Sequence, residues 1–462
     1  MSFATIDPTT GSVLERFVYM DEPAVEAALA AAAAAAITWA ATPARQRTAL
    51  LSAVAGRLRA QSLALATTAV REMGKPVAQA RAEVEKCARC CDYFAANGGA
   101  MMAPQEAPSN AARSYVAFRP LGIVLAIMPW NYPYWQVFRA AVPALLAGNA
   151  VLLKHAENTT RCGLEIERAF REAGAPEGLF ATLLVSNRAA DELIADPRIR
   201  AVTLTGSERA GVAVASAAGA ALKKSVLELG GSDAFVVLAD ADLELAAEAA
   251  VTARFQNTGQ SCIAAKRFIV ADPVHAEFLA RFVALAKAQR VGNPMDEGVA
   301  LGPCARGDLR DGIHEQVCAT LARGARLELG GEPIGGRGYF YQATIVSDVV
   351  PGMRMFDEEV FGPAAAVVRA RDADEAIALA NASSYGLGFS MWTNDAAAAE
   401  KLATRVEAGA VFINGIVASD PRLPFGGVKK SGYGRELATF GVHEFVNVQT
   451  VWIGPAGANA AT

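Results

Sequence analysis

The sequence predicts an α/β protein built from parallel sheets that are covered by helices. Short apolar runs such as residues 122–128 and 150–153 alternate with helical segments such as residues 159–173. Strands that are apolar on both faces are typical of a parallel sheet buried between helices. Of the 462 residues, 53% are hydrophobic and 19% are charged. Because a single core stops growing at about 250 to 300 residues, at least two domains are expected.

The first part of the chain, residues 21–99, is predicted to be helical. Ala, Leu, Glu and Arg dominate it, and apolar positions recur at spacings of three and four. Cys87, Cys90 and Cys91 share one helix face. No second Cys/His pair completes four ligands, so buried small residues are a better interpretation of these cysteines than a metal site.

From residue 113 onward, strands and helices alternate in two rounds. The first round has predicted strands at 116–118, 122–128, 150–153, 180–185, 201–205 and 225–229, and predicted helices at 133–146, 159–173, 188–195 and 207–219. The second round has predicted strands at 234–238, 267–270 and 410–413, and predicted helices at 243–255 and 274–287. The last run, 444–453, is predicted to form a hairpin arm with the strand near 116 and to pair with another subunit. Ligands bind beyond the carboxyl ends of the strands in sheets of this kind.

Charge and cysteine usage restrict the class of partner. A net charge of −4 argues against nucleic acid or an anionic membrane, since both favour basic clusters. Residues 1–11 lack the pattern of a signal peptide, and Glu26 interrupts the apolar run 24–36. Seven cysteines at scattered positions suit reduced thiols. We therefore expect a cytoplasmic protein that acts on a small molecule.

Cys262 is the best candidate for a nucleophile. It follows the small polar turn Gly259-Gln260-Ser261, and Glu228 lies a short way upstream. A carboxylate that deprotonates a thiol is the minimum apparatus for covalent catalysis at a carbonyl. Asn131, between an apolar strand and a helix, could donate to a developing oxyanion beside the Cys262 N–H, could cap the helix, or could do both.

Signals for a dinucleotide occur at strand ends, although no G-x-G-x-x-G motif follows the first strand. Ser207, after Gly206, is placed to cap a helix whose free N–H groups could bind a phosphate. Lys154 ends a strand and could reach a ribose hydroxyl. Glu157 could accept a hydrogen bond from the adenosine 2′-OH and repel a 2′-phosphate, which favours NAD over NADP.

Glu359 and Phe361 add a carboxylate suited to ribose hydroxyls and an aromatic face suited to a nicotinamide. Taken singly, these signals are equally well explained by an ordinary capped helix, a solvated charge pair and a loop that ends in Gly-Pro. Their joint occurrence at strand ends, in a consistent order, favours the functional interpretation.

Five ordered motifs resemble those of the NAD(P)-dependent aldehyde dehydrogenase superfamily over essentially the full chain. They are Pro129-Trp130-Asn131, Leu227-Glu228-Leu229-Gly230-Gly231, Gly259-Gln260-Ser261-Cys262, Glu359-Val360-Phe361-Gly362-Pro363 and Pro424-Phe425-Gly426-Gly427-Val428-Lys429. The stretches 127–139 and 153–156 look most like the short bacterial succinate-semialdehyde dehydrogenases.

The resemblance implies the aldehyde dehydrogenase fold. A Rossmann-like cofactor-binding domain is expected over 1–112 and 120–229, an α/β catalytic domain over 230–443, and an oligomerisation arm over 113–119 and 444–455. The implied assembly is a homodimer or a homotetramer.

The resemblance also implies the reaction, which is oxidation of an aldehyde to its acid. Cys262 is the implied nucleophile that forms a thiohemiacetal and then a thioester, Asn131 the implied oxyanion donor and Glu228 the implied base, although Glu436 is an alternative neighbour of the thiol. The implied cofactor is NAD, with NADP as the alternative. Its implied contacts are Trp130, Lys154, Glu157, Gly206, Ser207, Leu229, Glu359 and Phe361.

Arg139 is the candidate for recognising a carboxylate on the substrate. It lies two helical turns past Asn131, and a guanidinium there would bind the distal carboxylate of succinate semialdehyde, unless it forms a surface salt bridge. Gln256 stands where some relatives carry a second arginine, so Ser419 or Arg422 could replace that contact. The other implied substrate contacts are Trp135 and Ser261.

Two further expectations concern regulation and alternative functions. Ala264 stands where relatives with a redox disulfide have a second cysteine, and Ser261 precedes the nucleophile, so no local disulfide switch is expected. The alternatives to succinate semialdehyde are another small aliphatic or aromatic aldehyde and a cofactor-independent thioester hydrolase or acyltransferase. A non-catalytic protein of this fold is disfavoured because Cys262 and Glu228 are both present.

Overall fold

The computed structural model describes residues 2–454. The strands in this range are β1 Ser2–Asp7, β2 Ser12–Val18, β3 Gln105–Glu106, β4 Arg113–Pro120, β5 Ile123–Met128, β6 Ala150–His155, β7 Phe180–Thr182, β8 Ile199–Thr205, β9 Lys224–Glu228, β10 Asp233–Val237, β11 Ala265–Ala271, β12 Arg326–Leu329, β13 Thr344–Ser347, β14 Ala364–Ala370, β15 Tyr385–Gly386, β16 Gly388–Trp392, β17 Ala410–Ile413, β18 Val428–Lys429, β19 Gly432–Tyr433 and β20 Val446–Ile453. The α-helices are α1 Glu22–Ala41, α2 Ala44–Ala60, α3 Ser62–Met73, α4 Val77–Met101, α5 Trp135–Leu146, α6 Thr160–Glu172, α7 Asn187–Ala195, α8 Glu208–Ala220, α9 Leu243–Phe255, α10 Asp272–Lys287, α11 Gly307–Leu321, α12 Arg354–Asp357, α13 Ala373–Asn381, α14 Ala396–Ala403 and α15 Ala438–His443.

The predicted helical segment is present as four helices, α1 to α4. The breaks lie at Pro43, at Gln61 and at Gly74-Lys75-Pro76, where Gly74 has a φ of 83°. Proline cannot continue a helix and glycine adopts the left-handed conformation without strain, so both end helices. The three cysteines of α4 are buried in the core between helices.

Within residues 2–454, α1 is the helix that is long and apolar enough to cross a membrane by length and composition. Its hydropathy comes from alanine, and one face packs against the first sheet. Trp39 on that face is buried, and its Nε1 donates to the Leu145 carbonyl at 2.8 Å. Glu26, on the outer side, pairs with Arg198 at 2.6 Å. These are the contacts of a helix that covers a sheet.

The first sheet has the order β19-β9-β8-β5-β6-β7, with β9 through β7 parallel. The predicted alternation of strands and helices is confirmed here. Because the strands are parallel, the ends of β5, β6, β8 and β9 meet at one edge, and Glu228 lies at that edge as the last residue of β9.

The second sheet has the order β12-β13-β14-β11-β10-β16-β17, with β12 antiparallel and the remaining strands parallel. Alternate side chains of β10 enter two separate cores. Ala234 and Val236 face one core, while Phe235 and Val237 face the other. A strand covered on both faces explains why the sequence is apolar from Ala234 to Val237.

The C-terminal segment returns to the first sheet. β19 pairs antiparallel with β9, with Gly432 opposite Glu228, and Phe425 forms a bridge with Glu436. The predicted catalytic domain, 230–443, therefore includes residues 432–443, which the structure packs against the first sheet. Pairing between segments this far apart in the chain leaves no local pattern in the sequence.

The strands of the predicted arm pair with each other. β20 lies antiparallel to β4, from Val446 opposite Pro120 to Ile453 opposite Arg113, and β3 completes a three-stranded sheet. β20 is an edge strand. The hairpin of β1 and β2 was not predicted, because its charged residues mask the alternation. Met1 and residue 455, the outermost predicted domain limits, lie outside the described residues.

Candidate active site

Cys262 lies in a loop whose backbone is held by a buried arginine. Arg254 Nη2 donates to the carbonyl oxygens of Gly259 and Gly362, each at 2.7 Å. Asn257 and Gly259 have φ values of 56° and 71°. A Cβ on Gly259 would lie 2.2 Å from the Gly362 oxygen, so only glycine fits this close approach.

Asn131 contacts the same loop. Its Nδ2 donates to the Gln260 carbonyl at 3.1 Å, and Asn257 Nδ2 donates to the Asn131 carbonyl at 2.8 Å. A side-chain amide has two N–H donors, so one remains for an oxyanion formed near Cys262. The alternative interpretation of Asn131 as a helix cap is not realised, since α5 begins at Trp135.

The Cys262 thiol is surrounded by charged groups. Burial raises its pKa to about 11, whereas the positive charges of Arg139 and Lys266 act in the opposite direction. Lys266 Nζ donates to the carbonyl oxygens of Ser261, at 2.8 Å, and Cys262, at 2.5 Å. Because the thiol is protonated at neutral pH, it needs a base before it can attack a carbonyl.

Two buried carboxyl groups, Glu228 and Glu436, lie near the guanidinium of Arg139. Glu228 is 2% exposed, and among residues 2–454 neither of its carboxyl oxygens has a hydrogen-bond partner. Burial, followed by the charge of Glu436, raises the pKa of Glu228 well above its usual value. Burial also raises the pKa of Glu436, and Arg139 forms an ion pair with it. We expect this pair to retain a proton at neutral pH, which suits a group that exchanges protons.

Cys262 faces a cavity of about 250 Å³. Four of the predicted substrate residues line this cavity, namely Trp135, Arg139, Ser261 and Ser419. Trp135 Nε1 donates to Ser419 Oγ at 2.9 Å, which fixes the indole ring along the cavity wall. Gln256 also lines it, so the cavity has a neutral side chain at this position.

Arg139 lines the cavity as predicted, whereas Arg422 does not. Arg139 reaches the cavity, but besides the ion pair with Glu436 its Nη2 donates to Thr205 Oγ1 at 3.3 Å. Arg422 does not line the cavity, because its guanidinium pairs with Asp420 at 2.7 Å and is 74% exposed. The Asp-x-Arg spacing supplies a local partner, and this spacing is visible in the sequence.

A larger cleft of about 610 Å³ contains the predicted cofactor residues Trp130, Lys154 and Glu157. Lys154 Nζ donates to Asn187 Oδ1 at 2.7 Å, and Tyr19 Oη donates to Glu157 Oε1 at 2.6 Å. An ammonium donor and a carboxylate acceptor on one open cleft match the donors and acceptors of ribose hydroxyl groups. The residues present therefore fit a dinucleotide.

Ser207 caps α8, and its Oγ accepts from the Ala210 N–H at 3.3 Å. The ordinary capping interpretation is therefore realised, and phosphate binding remains a prediction. The Gly206 N–H donates to the Glu228 carbonyl at 3.0 Å. Leu229 packs against Gly211, where a Cβ would lie 2.5 Å from the leucine side chain. These contacts hold the start of α8 against the end of β9.

Glu359 and Phe361 lie between the cleft and the nucleophile loop. Glu359 Oε1 accepts from the Gly231 N–H at 3.0 Å and lies 3.7 Å from Lys266 Nζ. Burial raises the pKa of Glu359, and Lys266 acts in the opposite direction. The edge-to-face pair of Phe361 and Trp130, with ring centroids 5.7 Å apart, presents aromatic surface on this side.

Four charged residues of the site, Glu83, Lys86, Arg89 and Lys266, were not predicted from the sequence. Lys86 and Glu83 line the cavity from α4. The helical spacing of Lys86 and Glu83 indicates that they share one face of α4. It does not indicate that this face borders the substrate cavity, because the sequence of α4 is typical of a helix that covers a core. Lys266 lies at the start of a buried strand, where a charged residue is itself a signal of a functional contact.

The chain is similar to known proteins along almost its whole length. The model of the aldehyde dehydrogenase family matches residues 1–451. The chain is 52% identical to "Succinate semialdehyde dehydrogenase [NAD(P)+] Sad" of Escherichia coli, covering 97% of each chain. It is 47% identical to "Succinate-semialdehyde dehydrogenase [NADP(+)]" of Mycobacterium avium, covering 100% of this chain and 98% of the relative.

A solved structure has the same fold. The succinic semialdehyde dehydrogenase from Streptococcus pyogenes in complex with NADP+ superposes with a TM-score of 0.96 at 35% identity, covering 98% of this chain and all of the other. The predicted resemblance and fold class are thereby confirmed. The chain belongs to the aldehyde dehydrogenase family.

Proposed function

We propose that the protein oxidises succinate semialdehyde to succinate with NAD(P)+. The observation that carries this proposal is the placement of Cys262 in a cavity with cationic side chains, beside a cleft suited to a dinucleotide. The names of the E. coli and M. avium relatives support the substrate. A cavity of about 250 Å³ admits a short aliphatic chain with a charged end.

The residues divide the work of the reaction. Cys262 Sγ attacks the aldehyde carbon, and the Asn131 amide and the Cys262 N–H donate to the resulting oxyanion. When bound, NAD(P)+ supplies the acceptor for the hydride that leaves this carbon, and the acyl group stays on Cys262 as a thioester. In its ionised form Glu228 takes the proton of the thiol and passes it to solvent, and it later takes the proton of the attacking water and returns it to the departing thiolate as the acid is released. Its raised pKa allows it to hold that proton.

Glu157 is proposed to set the cofactor preference toward NAD. The hydrogen bond from Tyr19 fixes its carboxylate beside the cleft. A carboxylate at the ribose accepts from a 2′-OH and repels a 2′-phosphate. Lys154 is proposed to donate to a ribose hydroxyl, Ser207 to contact a phosphate, and Glu359 and Phe361 to contact the nicotinamide ribose and ring.

The proposed assembly is a homodimer or a homotetramer that forms through the arm of β4 and β20. The exposed apolar side chains of the edge strand β20 support this proposal. A cytoplasmic location is proposed from the scattered cysteines, which are free thiols in the described residues.

The purified protein tests the proposal directly. With succinate semialdehyde and NAD+ it should form reduced cofactor, and Cys262→Ala should abolish turnover while cofactor binding, measured by calorimetry, is retained. Steady-state activity of Cys262→Ala near that of the wild type would reject the nucleophile. Hydrolysis of an added succinyl thioester without any NAD(P)+, together with no reduced cofactor formed from the aldehyde, would instead indicate a thioester hydrolase.

A further inference from the structure

Lys86 presents an ammonium group to the cavity that contains Cys262. It lies on α4, and the cavity is lined along this helix by Gln79, Ala82, Glu83, Lys86 and Arg89, which are spaced three, four and seven residues apart and so share one face. Lys86 is the one member of this set that has both a partly buried side chain and a positive charge. Burial lowers the pKa of Lys86 to about 8, and the charge of Arg139 adds to this effect, so the ammonium is predominantly protonated at neutral pH.

The contacts of Lys86 leave a binding position open. Its Nζ donates to Ser419 Oγ at 2.9 Å and lies 4.3 Å from the centroid of the Trp135 ring. Ser419 Oγ also accepts from Trp135 Nε1, so both of its lone pairs are engaged and its hydroxyl hydrogen is left to donate. An ammonium with two further N–H donors and a hydroxyl with one donor therefore converge on one wall of the cavity.

The carboxylates near Lys86 have other partners. Glu83 pairs with Lys75, and Asp420 pairs with Arg422. Among the ion pairs of residues 2–454, none includes Lys86. Its charge is therefore available to an anion that enters the cavity.

Arg139 is less available than Lys86. Its guanidinium forms an ion pair with the buried Glu436, donates to Thr205 Oγ1 and lies 4.4 Å from the centroid of the Phe425 ring. A substrate carboxylate on Arg139 would have to share the guanidinium with Glu436, next to the second buried acid Glu228. Repulsion between carboxylates in a buried site opposes that arrangement.

We propose that Lys86, together with the Ser419 hydroxyl, binds the distal carboxylate of the semialdehyde and selects acidic over neutral aldehydes. This inference rests on the proposed function. Trp135 holds both groups, through its ring face for Lys86 and its Nε1 for Ser419. Arg139 has another role, because its charge acts on Cys262 and on the two acids.

The test compares two aldehydes of equal chain length, succinate semialdehyde and butanal. Lys86→Met keeps the length of the side chain and removes the charge. Its kcat/KM for succinate semialdehyde should fall about ten- to a hundredfold, as expected for loss of a hydrogen bond to a charged group, and the fall should be at least tenfold greater than for butanal. Lys86→Arg should recover most of the loss, and activity on butanal shows that each variant is folded.

Arg81→Met is the matched control, because it removes one positive charge from an exposed position of the same helix that does not line the cavity. Its kcat/KM for succinate semialdehyde should change less than about threefold. Equal losses in Lys86→Met and Arg81→Met would mean general attraction of anions and would overturn the proposal. Equal losses on both aldehydes in Lys86→Met would overturn it as well. A wild-type protein that has no preference for succinate semialdehyde over butanal would reject the proposed substrate itself, which is a separate outcome.

Discussion

Glu157 offers the most direct test of cofactor preference at the scale of one residue. Glu157→Ser should raise the ratio of kcat/KM for NADP+ to that for NAD+ by about tenfold or more, because it removes the charge that repels a 2′-phosphate. Steady-state kinetics with both cofactors measures this ratio. Tyr19→Phe is the control, since it releases the carboxylate but keeps its charge. An unchanged ratio in Glu157→Ser would contradict the placement of Glu157 at the 2′ position.

The Cys262 thiol should show its raised pKa in the protein without substrate. Alkylation of Cys262 by iodoacetamide should accelerate with pH up to at least about pH 10, because the thiolate fraction grows until the pH passes a pKa of about 11. Arg139→Leu should shift this profile to higher pH, since it removes a charge that favours the thiolate. The Cys262→Ala variant measures the background alkylation of other cysteines, of which Cys318 is exposed. An alkylation rate that stops rising near pH 7 would contradict the conclusion that burial is the dominant influence on the pKa of Cys262.

Single residues were predictable where the chemistry is local. Cys262, Asn131 and Lys154 lie in short motifs at the ends of strands, and the structure brings them to the cavity and the adjoining cleft. The partner of Arg139 was not predictable, since Glu436 comes from the far end of the chain and no local spacing joins them.

At the scale of elements, the start of α5 depends on a side chain from α4. Glu83 Oε1 accepts from the N–H groups of Tyr134, at 2.8 Å, and Trp135, at 2.9 Å, and Glu83 also pairs with the buried Lys75. The residue that precedes the helix supplies no side-chain cap of its own. Glu83 therefore fixes the start of α5 at Trp135, four residues after Asn131.

Glu83→Gln should lower the free energy of unfolding by about 3 kcal/mol, because it leaves the Lys75 ammonium buried without a counter-charge. The apparent melting temperature at a fixed scan rate measures the change. Glu85→Gln is the matched control on the same helix, since Glu85 is 45% exposed and pairs with Arg59 at the surface, where a pair contributes about 1 kcal/mol or less. Equal decreases in melting temperature for the two variants would mean that the buried ion pair contributes no more to stability than the exposed one.

Helices and strands were predicted best where the local spacing of apolar residues is regular. Helix α9 has the predicted bounds because Asp242 caps its first turn and the apolar spacing ends at Phe255. The hairpin of β1 and β2 was missed because Ser2–Asp7 and Ser12–Val18 are mostly exposed or only partly buried, so alternation of apolar residues is weak. Such strands form because they pack against segments that are distant in the sequence. The periodicity of apolar residues in the sequence does not reveal these contacts.

At the scale of the whole molecule, the edge strand β20 predicts self-association. Val448 is 59% exposed and Trp452 53% exposed on this strand. The double variant Val448→Lys/Trp452→Lys should lower the molecular mass in solution to that of a monomer, because two charges on an edge strand oppose pairing. Sedimentation velocity measures this. Leu63→Lys, at an exposed leucine of α3, should leave the mass unchanged. A double variant that keeps the wild-type mass would place the interface elsewhere.

The return of the C-terminal segment to the first sheet orders events during synthesis. Arg139 and Glu228 emerge from the ribosome well before Glu436, which joins them only when β19 pairs with β9. Until then the guanidinium lacks its buried counter-charge. Nascent chains of this protein therefore carry a complete thiol loop before they carry a complete proton-handling pair. The Cys262 thiol can therefore exchange protons with the pair of Glu228 and Glu436 only after the last strands have been synthesised.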